Sequence, residues 1–181
     1  MSATTDRTRE QQDAHFMELA LRQAEIAVVK GQTPFGSVLV GRDGRLIGEG
    51  HNTVRADLDP TAHAEIVAIR QAWRRLGKWR MLAGSTLYSS CEPCLLCSFV
   101  ITQIGVSRVV FAAHGRDVPT YKPLLGADLA EAAAWVNAQR DWAPLEVVGG
   151  FMRERALEMI SSFPWSEAQA RNVLDTSRSS P

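Results

Sequence analysis

Long apolar runs are missing from this sequence: no stretch approaches the ~18 consecutive apolar residues that a membrane-spanning helix needs, so we expect no membrane association. A surplus of charge of one sign is missing as well, because 20 Lys and Arg residues balance 20 Asp and Glu residues. That balance argues against a general nucleic-acid binder, which normally carries a basic excess, but it leaves room for a small basic patch around one pocket. With 45% hydrophobic and 22% charged residues, the 181-residue chain is expected to form one globular domain.

Cysteine is scarce, and its three residues all lie between positions 91 and 97. An odd number so closely spaced cannot form a disulfide framework. The first 12 residues are polar and lack the apolar core of a signal peptide, so we expect a cytoplasmic protein. In that compartment a cysteine cluster indicates a metal or redox site rather than a disulfide.

Apolar periodicity and turn residues predict a domain over residues 13–162, between a disordered lead-in (1–12) and a C-terminal tail (163–181). Asp13 is the expected cap of a first helix, and Asp59 or Thr61 that of a second helix ending at Gly77. An Asp-Gly turn at 43–44 predicts a hairpin. Further helices are predicted from Pro93 and over 129–140 and 153–161, and further strands over 86–89, 106–112 and 145–148. This order predicts a three-layer α/β/α fold around a five-stranded mixed sheet, mostly parallel with one antiparallel hairpin.

Two short segments at predicted helix starts carry candidate chemistry, His63-Ala64-Glu65 and Pro93-Cys94-Leu95-Leu96-Cys97. Cys94 and Cys97 would face the same way on one helical turn, and His63 would complete a tripod for Zn²⁺. Three protein ligands leave a fourth position open to water, whose pKa zinc lowers towards ~7. Glu65 would reach that water without binding the metal, and would act as a proton shuttle.

Other chemistry is compatible with the same cysteines. Cys91 would close a structural Cys₃His zinc site, or two of the thiols would form a redox pair. The closed zinc site leaves Glu65 without a role, and redox chemistry explains neither His63 nor Glu65. Cys91 is therefore either a buried residue at a strand end or part of the pocket lining.

His-x-Glu followed by Pro-Cys-x-x-Cys is the pattern of zinc nucleobase deaminases. The chain resembles this cytidine deaminase-like family over residues 13–160, and it is most similar to the branch of bacterial guanine deaminases, tRNA-adenosine deaminases and fungal-type cytosine deaminases. The segments that carry the resemblance are 33–36, 50–52, 59–65 and 90–94.

The resemblance implies Zn²⁺ bound by His63, Cys94 and Cys97, Glu65 as the proton shuttle, and a homodimer. It also implies four substrate contacts. Asn52 would hydrogen-bond the polar edge of the base, Phe35 and Gly36 would line the floor, and the backbone N–H of Ala64 would face a ring carbonyl.

Guanine is the favoured substrate of this resemblance, because segments 33–36 and 90–94 look most like those of guanine deaminases. The balanced charge also favours a small nucleobase-like molecule over nucleic acid. The segment 114–121 lacks the Phe-Asp-Asp stretch of guanine deaminases, so Asp117 or Arg116 would replace that contact to the base. Cytosine, a nucleoside, an aminotriazine and tRNA adenosine are the alternative substrates, and a non-catalytic zinc-stabilised binding subunit ranks last. Phe163 and Trp165 either cover the site or dock on the protein's own surface.

Overall fold

The computed structural model describes residues 8–77, 82–119 and 129–166. Its helices are α1 (Arg9–Val29), α2 (Val54–Asp57), α3 (Ala64–Leu76), α4 (Leu95–Gln103), α5 (Leu129–Asn137) and α6 (Arg153–Ser162). Its strands are β1 (Gly36–Val40), β2 (Leu46–His51), β3 (Thr86–Cys91), β4 (Arg108–Ala113) and β5 (Glu146–Gly149), with a short 3₁₀ helix at Gly115–Asp117. Within these described ranges, no helix combines the length and apolar character needed to cross a bilayer.

The five strands form one mixed sheet in the order β2-β1-β3-β4-β5. β1 pairs antiparallel with both β2 and β3, whereas β3–β4 and β4–β5 are parallel. The predicted five-stranded mixed sheet is therefore confirmed, but the expectation of a mostly parallel sheet is wrong. The reason is that the hairpin joins the sheet through β1, which adds a second antiparallel pairing.

Side chains alternate between the two faces of the sheet and create two cores, as strand geometry requires. Leu39, Leu87 and Val109 pack with α3, α4 and α5 on one face. Val38 and Val110 pack with α1 and α6 on the other face. These two cores establish the predicted α/β/α layers.

Helix α1 begins earlier than the sequence predicts. Thr8 is its N-cap in a reciprocal capping box with Gln11, so residues 8–12 belong to the helix and not to a disordered lead-in. Residues 1–7 lie outside the described residues. Asp13 is no cap, because it is buried and accepts hydrogen bonds from Arg108 and Tyr88.

The start of α3 also differs from the prediction. Its N-cap is His63, which makes no capping hydrogen bond with its side chain, rather than Asp59 or Thr61. Its end at Gly77 is confirmed, with φ of 63° in the left-handed region that glycine adopts easily. The helix predicted from Pro93 is confirmed as well, since α4 begins two residues later.

Two glycines in β2 bring α3 against the sheet. A Cβ added to Gly48 would lie 2.2 Å from the carbonyl oxygen of Ala68, and a Cβ added to Gly50 would lie 2.6 Å from the carbonyl oxygen of Ala64. Substitution would therefore push α3 away from the sheet. Because α3 begins with the His63 segment, these contacts fix one side of the site described next.

Candidate active site

The candidate site lies at one edge of the sheet, where several chain segments meet. β2 and β3 end at this edge, and β1 begins there because it runs antiparallel to both. His63 and Cys94 are the N-cap residues of α3 and α4, and both have extended backbone conformations. The exposed N–H groups and the positive dipole end of these helices favour anionic sulfur at this place.

The donor atoms of His63, Cys94 and Cys97 form a compact triangle. The sulfurs of Cys94 and Cys97 are 3.8 Å apart, and His63 Nδ1 lies 3.4 Å from the first sulfur and 3.5 Å from the second. Tetrahedral zinc with Zn–S bonds of about 2.3 Å and Zn–N bonds of about 2.0 Å requires about 3.8 Å between sulfurs and about 3.5 Å between sulfur and nitrogen. The three side chains therefore fit a zinc ion. Nδ1 is the nitrogen of His63 that is placed to coordinate it.

Cys91 is not part of this triangle. Among the described residues, the group able to hold a metal ion consists of His63, Cys94 and Cys97 alone. Three ligands leave a tetrahedral position open, which is the arrangement of catalytic rather than structural zinc sites. Burial raises the pKa of the Cys91 thiol, so it stays protonated beside the cavity.

The two cysteines of the triangle have opposite pKa shifts, and the neighbouring Glu65 is shifted as well. The contact with Cys97 lowers the pKa of Cys94 to about 4, and the contact with His63 adds to this effect against that of burial. These contacts favour the thiolate form of Cys94, which is the form that binds zinc, whereas the contact with Cys94 and burial raise the pKa of Cys97. Glu65 is the second residue of α3 and is buried, with 7% of its surface exposed. Burial raises the pKa of Glu65 to about 7, and the neighbouring Cys94 thiolate contributes to the rise.

A cavity of about 440 Å³ opens next to the triangle. This volume falls in the usual range of small-molecule sites. Its walls are formed by Thr33, Phe35, Asn52, Val54, Arg55, His63, Ala64, Glu65, Ser89, Cys91, Glu92, Cys94 and Val118. Cys97 is fully buried and does not line the cavity, so its sulfur faces the metal position from the protein interior.

Asn52 lines the cavity and is buried. Its backbone N–H donates to the Phe35 carbonyl at 2.9 Å, which places two predicted substrate contacts side by side. Its Oδ1 accepts from the Val54 N–H at 3.3 Å. The side-chain oxygen thus closes a local turn, while the amide NH₂ is the group left to donate to a ligand.

Two predicted substrate contacts lie elsewhere. Asp117 is not in the cavity wall, because both carboxylate oxygens accept from Arg153, at 2.6 and 2.9 Å, and one also accepts from the His114 N–H. These contacts hold the pKa of Asp117 below its usual value. Gly36 is not in the wall either: it donates to Ser90 Oγ, and an added Cβ would lie 2.2 Å from the backbone nitrogen of Ala24 in α1. Gly36 is needed for helix packing.

Phe35, Ala64 and Cys91 lie in the wall where the sequence predicts them. Of the two tail residues predicted either to cover the site or to dock on the protein's own surface, Trp165 packs against the wall residue Phe35, with ring centroids 6.2 Å apart and ring planes tilted by 44°. Trp165 also contacts Phe163 at 4.8 Å. The tail residues 167–181 lie outside the described residues.

Sequence reasoning missed several wall residues, of which Arg55 and Glu92 carry charge. Arg55 lies in the four-residue helix α2, between the segments 50–52 and 59–65 that carry the resemblance. Glu92 lies inside the recognised 90–94 segment, but nothing in the spacing indicates that its side chain reaches the cavity. It accepts from the Gly115 N–H at 3.0 Å.

The comparisons with known proteins agree with this geometry. Residues 10–113 match the zinc-binding region of cytidine and deoxycytidylate deaminases. A tRNA-specific adenosine deaminase of Aquifex aeolicus is 35% identical over 144 residues, which cover 77% of this chain and 91% of that protein.

Two solved structures are also similar to this chain. One, from studies of A-to-I editing by tRNA deaminases at the wobble position of transfer RNA, is 34% identical with a TM-score of 0.66, and the match covers 81% of this chain and 99% of that one. The guanine deaminase of Bacillus subtilis is 42% identical with a TM-score of 0.55, over 57% of this chain and 66% of that one. With its zinc-binding triangle, open cavity and matching relatives, the chain belongs to the cytidine and deoxycytidylate deaminase family of zinc-dependent deaminases.

Proposed function

We propose that this protein deaminates adenosine to inosine in the single-stranded loop of a tRNA, with release of ammonia. The observation that carries the proposal is the similarity to the tRNA-specific adenosine deaminase of Aquifex aeolicus, which extends over 91% of that protein. Guanine, which the sequence motifs favour, has weaker support, because the similarity to the Bacillus subtilis guanine deaminase covers 57% of this chain. The balanced net charge does not oppose the proposal, since phosphate contacts require only local positive charge.

His63, Cys94 and Cys97 would hold a zinc ion, which would supply Lewis acidity and lower the pKa of water towards ~7. Glu65 accepts a proton from the attacking water and passes it to the purine ring; it then takes the second proton from the C6 hydroxyl and delivers it to the departing amino group, which leaves as ammonia. The adenine C6–N6 bond breaks and a C6–O bond forms, so water and adenosine give inosine and ammonia. A buried carboxyl group that lines the cavity and has a pKa of about 7 suits proton transfer in both directions.

A base must leave its stack to enter the cavity, which is easiest in a single-stranded loop. Adenine offers ring-nitrogen acceptors at its edges. The Asn52 amide and the Ala64 backbone N–H are donors in the wall, and the Phe35 ring offers an apolar surface for the base. These groups orient the base so that C6 faces Glu65.

We also infer a homodimer. Leu96 and Phe99 are exposed on α4, by 40% and 62%, next to the metal-binding turn, whereas Cys97 and Ile101 on the same helix are fully buried in the core. An apolar face of this kind is a typical contact between protomers. The Phe99→Glu variant would lower the mass measured by light scattering if this face forms the dimer contact.

The function is tested with an anticodon stem-loop RNA that carries adenosine at the wobble position. We expect inosine in the digested RNA after incubation with the zinc-loaded protein, and none with Glu65→Gln, whose zinc content should equal that of the wild type. Guanine, cytosine and their nucleosides, assayed for ammonia in parallel, should react far more slowly. Ammonia from guanine without inosine from the RNA would overturn the proposal and restore guanine as the substrate.

A further inference from the structure

Two serines face each other on neighbouring strands, and one of them lines the cavity. Ser37 in β1 and Ser89 in β3 are partners in the register of this antiparallel pair. Their hydroxyl oxygens lie 3.0 Å apart, which is a hydrogen-bonding distance. Ser37 is fully buried and Ser89 is 2% exposed, but of the two it is Ser89 that belongs to the cavity wall. The pair therefore connects the interior of the sheet to the cavity.

The two hydroxyl groups carry two hydrogens, and the bond between them uses one. Within residues 8–77, 82–119 and 129–166, neither hydroxyl makes another hydrogen bond. If Ser89 donated to Ser37, the hydrogen of Ser37 would be buried in the sheet without an acceptor, which is unfavourable. The favourable arrangement has Ser37 donating to Ser89. It leaves the hydroxyl hydrogen of Ser89 to point into the cavity.

Ser89 lies on the strand that leads into the metal-binding turn. Cys91, two residues further along β3, also lines the cavity. Cys94, three residues after Cys91, belongs to the metal-binding triangle. Glu65 lines the same cavity of about 440 Å³. Because a pocket of this size buries most of its ligand's surface, we expect a base bound beside Glu65 to contact the Ser89 wall as well.

A donor in the wall discriminates between the atoms of a ligand. A ligand that enters the cavity displaces water, and it must replace the hydrogen bonds of that water to bind well. A ring nitrogen accepts from a hydroxyl, whereas a C–H group at the same place leaves the donor unpaired. In adenosine, N9 carries the ribose, and N1, next to C6, is the nitrogen that receives the proton from Glu65 in the proposed reaction. N3 and N7 are the acceptors that remain.

We propose that the Ser89 hydroxyl binds the substrate by donating a hydrogen bond to N3 or N7 of the target base. The inference rests on the proposed function, and it adds a contact that neither the metal ligands nor Glu65 provide. It also explains why a polar side chain occupies a buried position of β3 where an apolar one would otherwise pack.

The test removes the donor and the acceptor separately. Wild type, Ser89→Ala and Ser37→Ala are assayed on the anticodon stem-loop with adenosine, 3-deazaadenosine or 7-deazaadenosine at the wobble position. Each analogue replaces one ring nitrogen with C–H. We expect Ser89→Ala to lower kcat/KM for adenosine about 5-fold, the value of an average hydrogen bond. One of the two analogues should cost the wild type a similar factor, and should cause little further loss in Ser89→Ala.

Ser37→Ala is the matched control. It removes the same bond between the two serines but keeps the Ser89 donor, so the penalty for the analogue should stay at its wild-type size. A change in the intrinsic reactivity of an analogue would appear by the same factor in all three proteins. Each variant deletes one oxygen atom of the pair, so both should keep wild-type zinc content and show similar stability in urea unfolding.

Equal analogue penalties in wild type and Ser89→Ala would overturn the contact while leaving the proposed function intact. A penalty that disappears equally in Ser37→Ala and Ser89→Ala would also overturn it, because the effect would then come from the bond between the strands. No inosine from wild type on the adenosine stem-loop would overturn the proposed function, and this inference with it.

Discussion

Asp59 accepts a hydrogen bond from Nη1 of Arg70 at 2.9 Å, and this pair ties the loop before His63 to the second turn of α3. Arg70 also donates to Thr61 Oγ1 at 2.9 Å, and Asp59 accepts from the Thr61 N–H at 2.8 Å. The contacts from Thr61, followed by those from Arg70, lower the pKa of Asp59 to about 2, so it is ionised near neutral pH. The network fixes the direction from which His63 enters the metal-binding triangle.

Asp59→Ala should therefore weaken zinc binding without removing a ligand. We expect about a 10-fold loss of affinity, the lower end of the range for residues that orient metal ligands. Competition with a chromophoric chelator measures this directly. Asp43→Ala, which removes an exposed partner of Arg45, is the control, and a variant at position 59 that holds zinc like the wild type would contradict the role of the network.

The metal triangle predicts different outcomes for the three cysteines. Cys94→Ser and Cys97→Ser should lose tightly bound zinc, because each removes one of three ligands. Cys91→Ser should keep about one zinc per chain, since Cys91 lies outside the triangle. Elemental analysis after dialysis checks this, and loss of zinc from Cys91→Ser would favour a closed, structural Cys₃His site.

The buried ion pair between Asp13 and Arg108, which are far apart in the sequence, makes the stability of the fold depend on pH. Arg108 donates to both oxygens of Asp13 at 2.6 and 2.8 Å, and the Tyr88 hydroxyl donates at 2.7 Å. Burial alone would raise the pKa of Asp13, but these hydrogen bonds outweigh burial and lower it below its usual value of 3.8. The ionised form thus stabilises the fold above pH 3.8, and this contribution is lost as the pH falls through the lower folded-state pKa.

Asp13→Asn should lower the free energy of unfolding by about 3 kcal/mol at neutral pH, because it leaves Arg108 without a buried partner charge. The difference between wild type and variant should shrink as the pH falls below 3.8. Urea unfolding at a series of pH values measures it. A difference that stays constant down to the lowest pH at which both variants fold would exclude an ionised Asp13 as its source.

The metal-binding residues were predictable because their chemistry depends on short spacings. Cys94 and Cys97 share one helical turn, so an i, i+3 pair places both sulfurs on one side without knowledge of the fold. The helix and strand order was predictable for a similar reason, since turn residues such as Gly77 end elements locally.

The incorrect predictions concern side chains whose positions are set by contacts with distant parts of the chain. Asp13 has the residue type of a helix cap, but its side chain is recruited by Arg108, 95 residues away, and Thr8 caps the helix instead. Asp117 has the charge expected of a base contact, yet Arg153 from α6 occupies its carboxylate. Arg55 lines the cavity from α2, where its backbone N–H donates to Gln32, 23 residues earlier in the chain. Local sequence does not contain these long-range partners.

The contact between Trp165 and Phe35 predicts that the segment after α6 affects substrate binding. Trp165 also donates from Nε1 to the Ile160 carbonyl at 2.8 Å, so the ring is fixed from both sides. Trp165→Ala should remove support from the Phe35 wall and raise KM about 5-fold, the value of an aromatic pair, with little change in kcat or zinc content. Trp165→Phe should restore most of the affinity because it keeps a ring against Phe35. A fall in kcat with unchanged KM would instead place the effect of Trp165 on the chemical step or on product release.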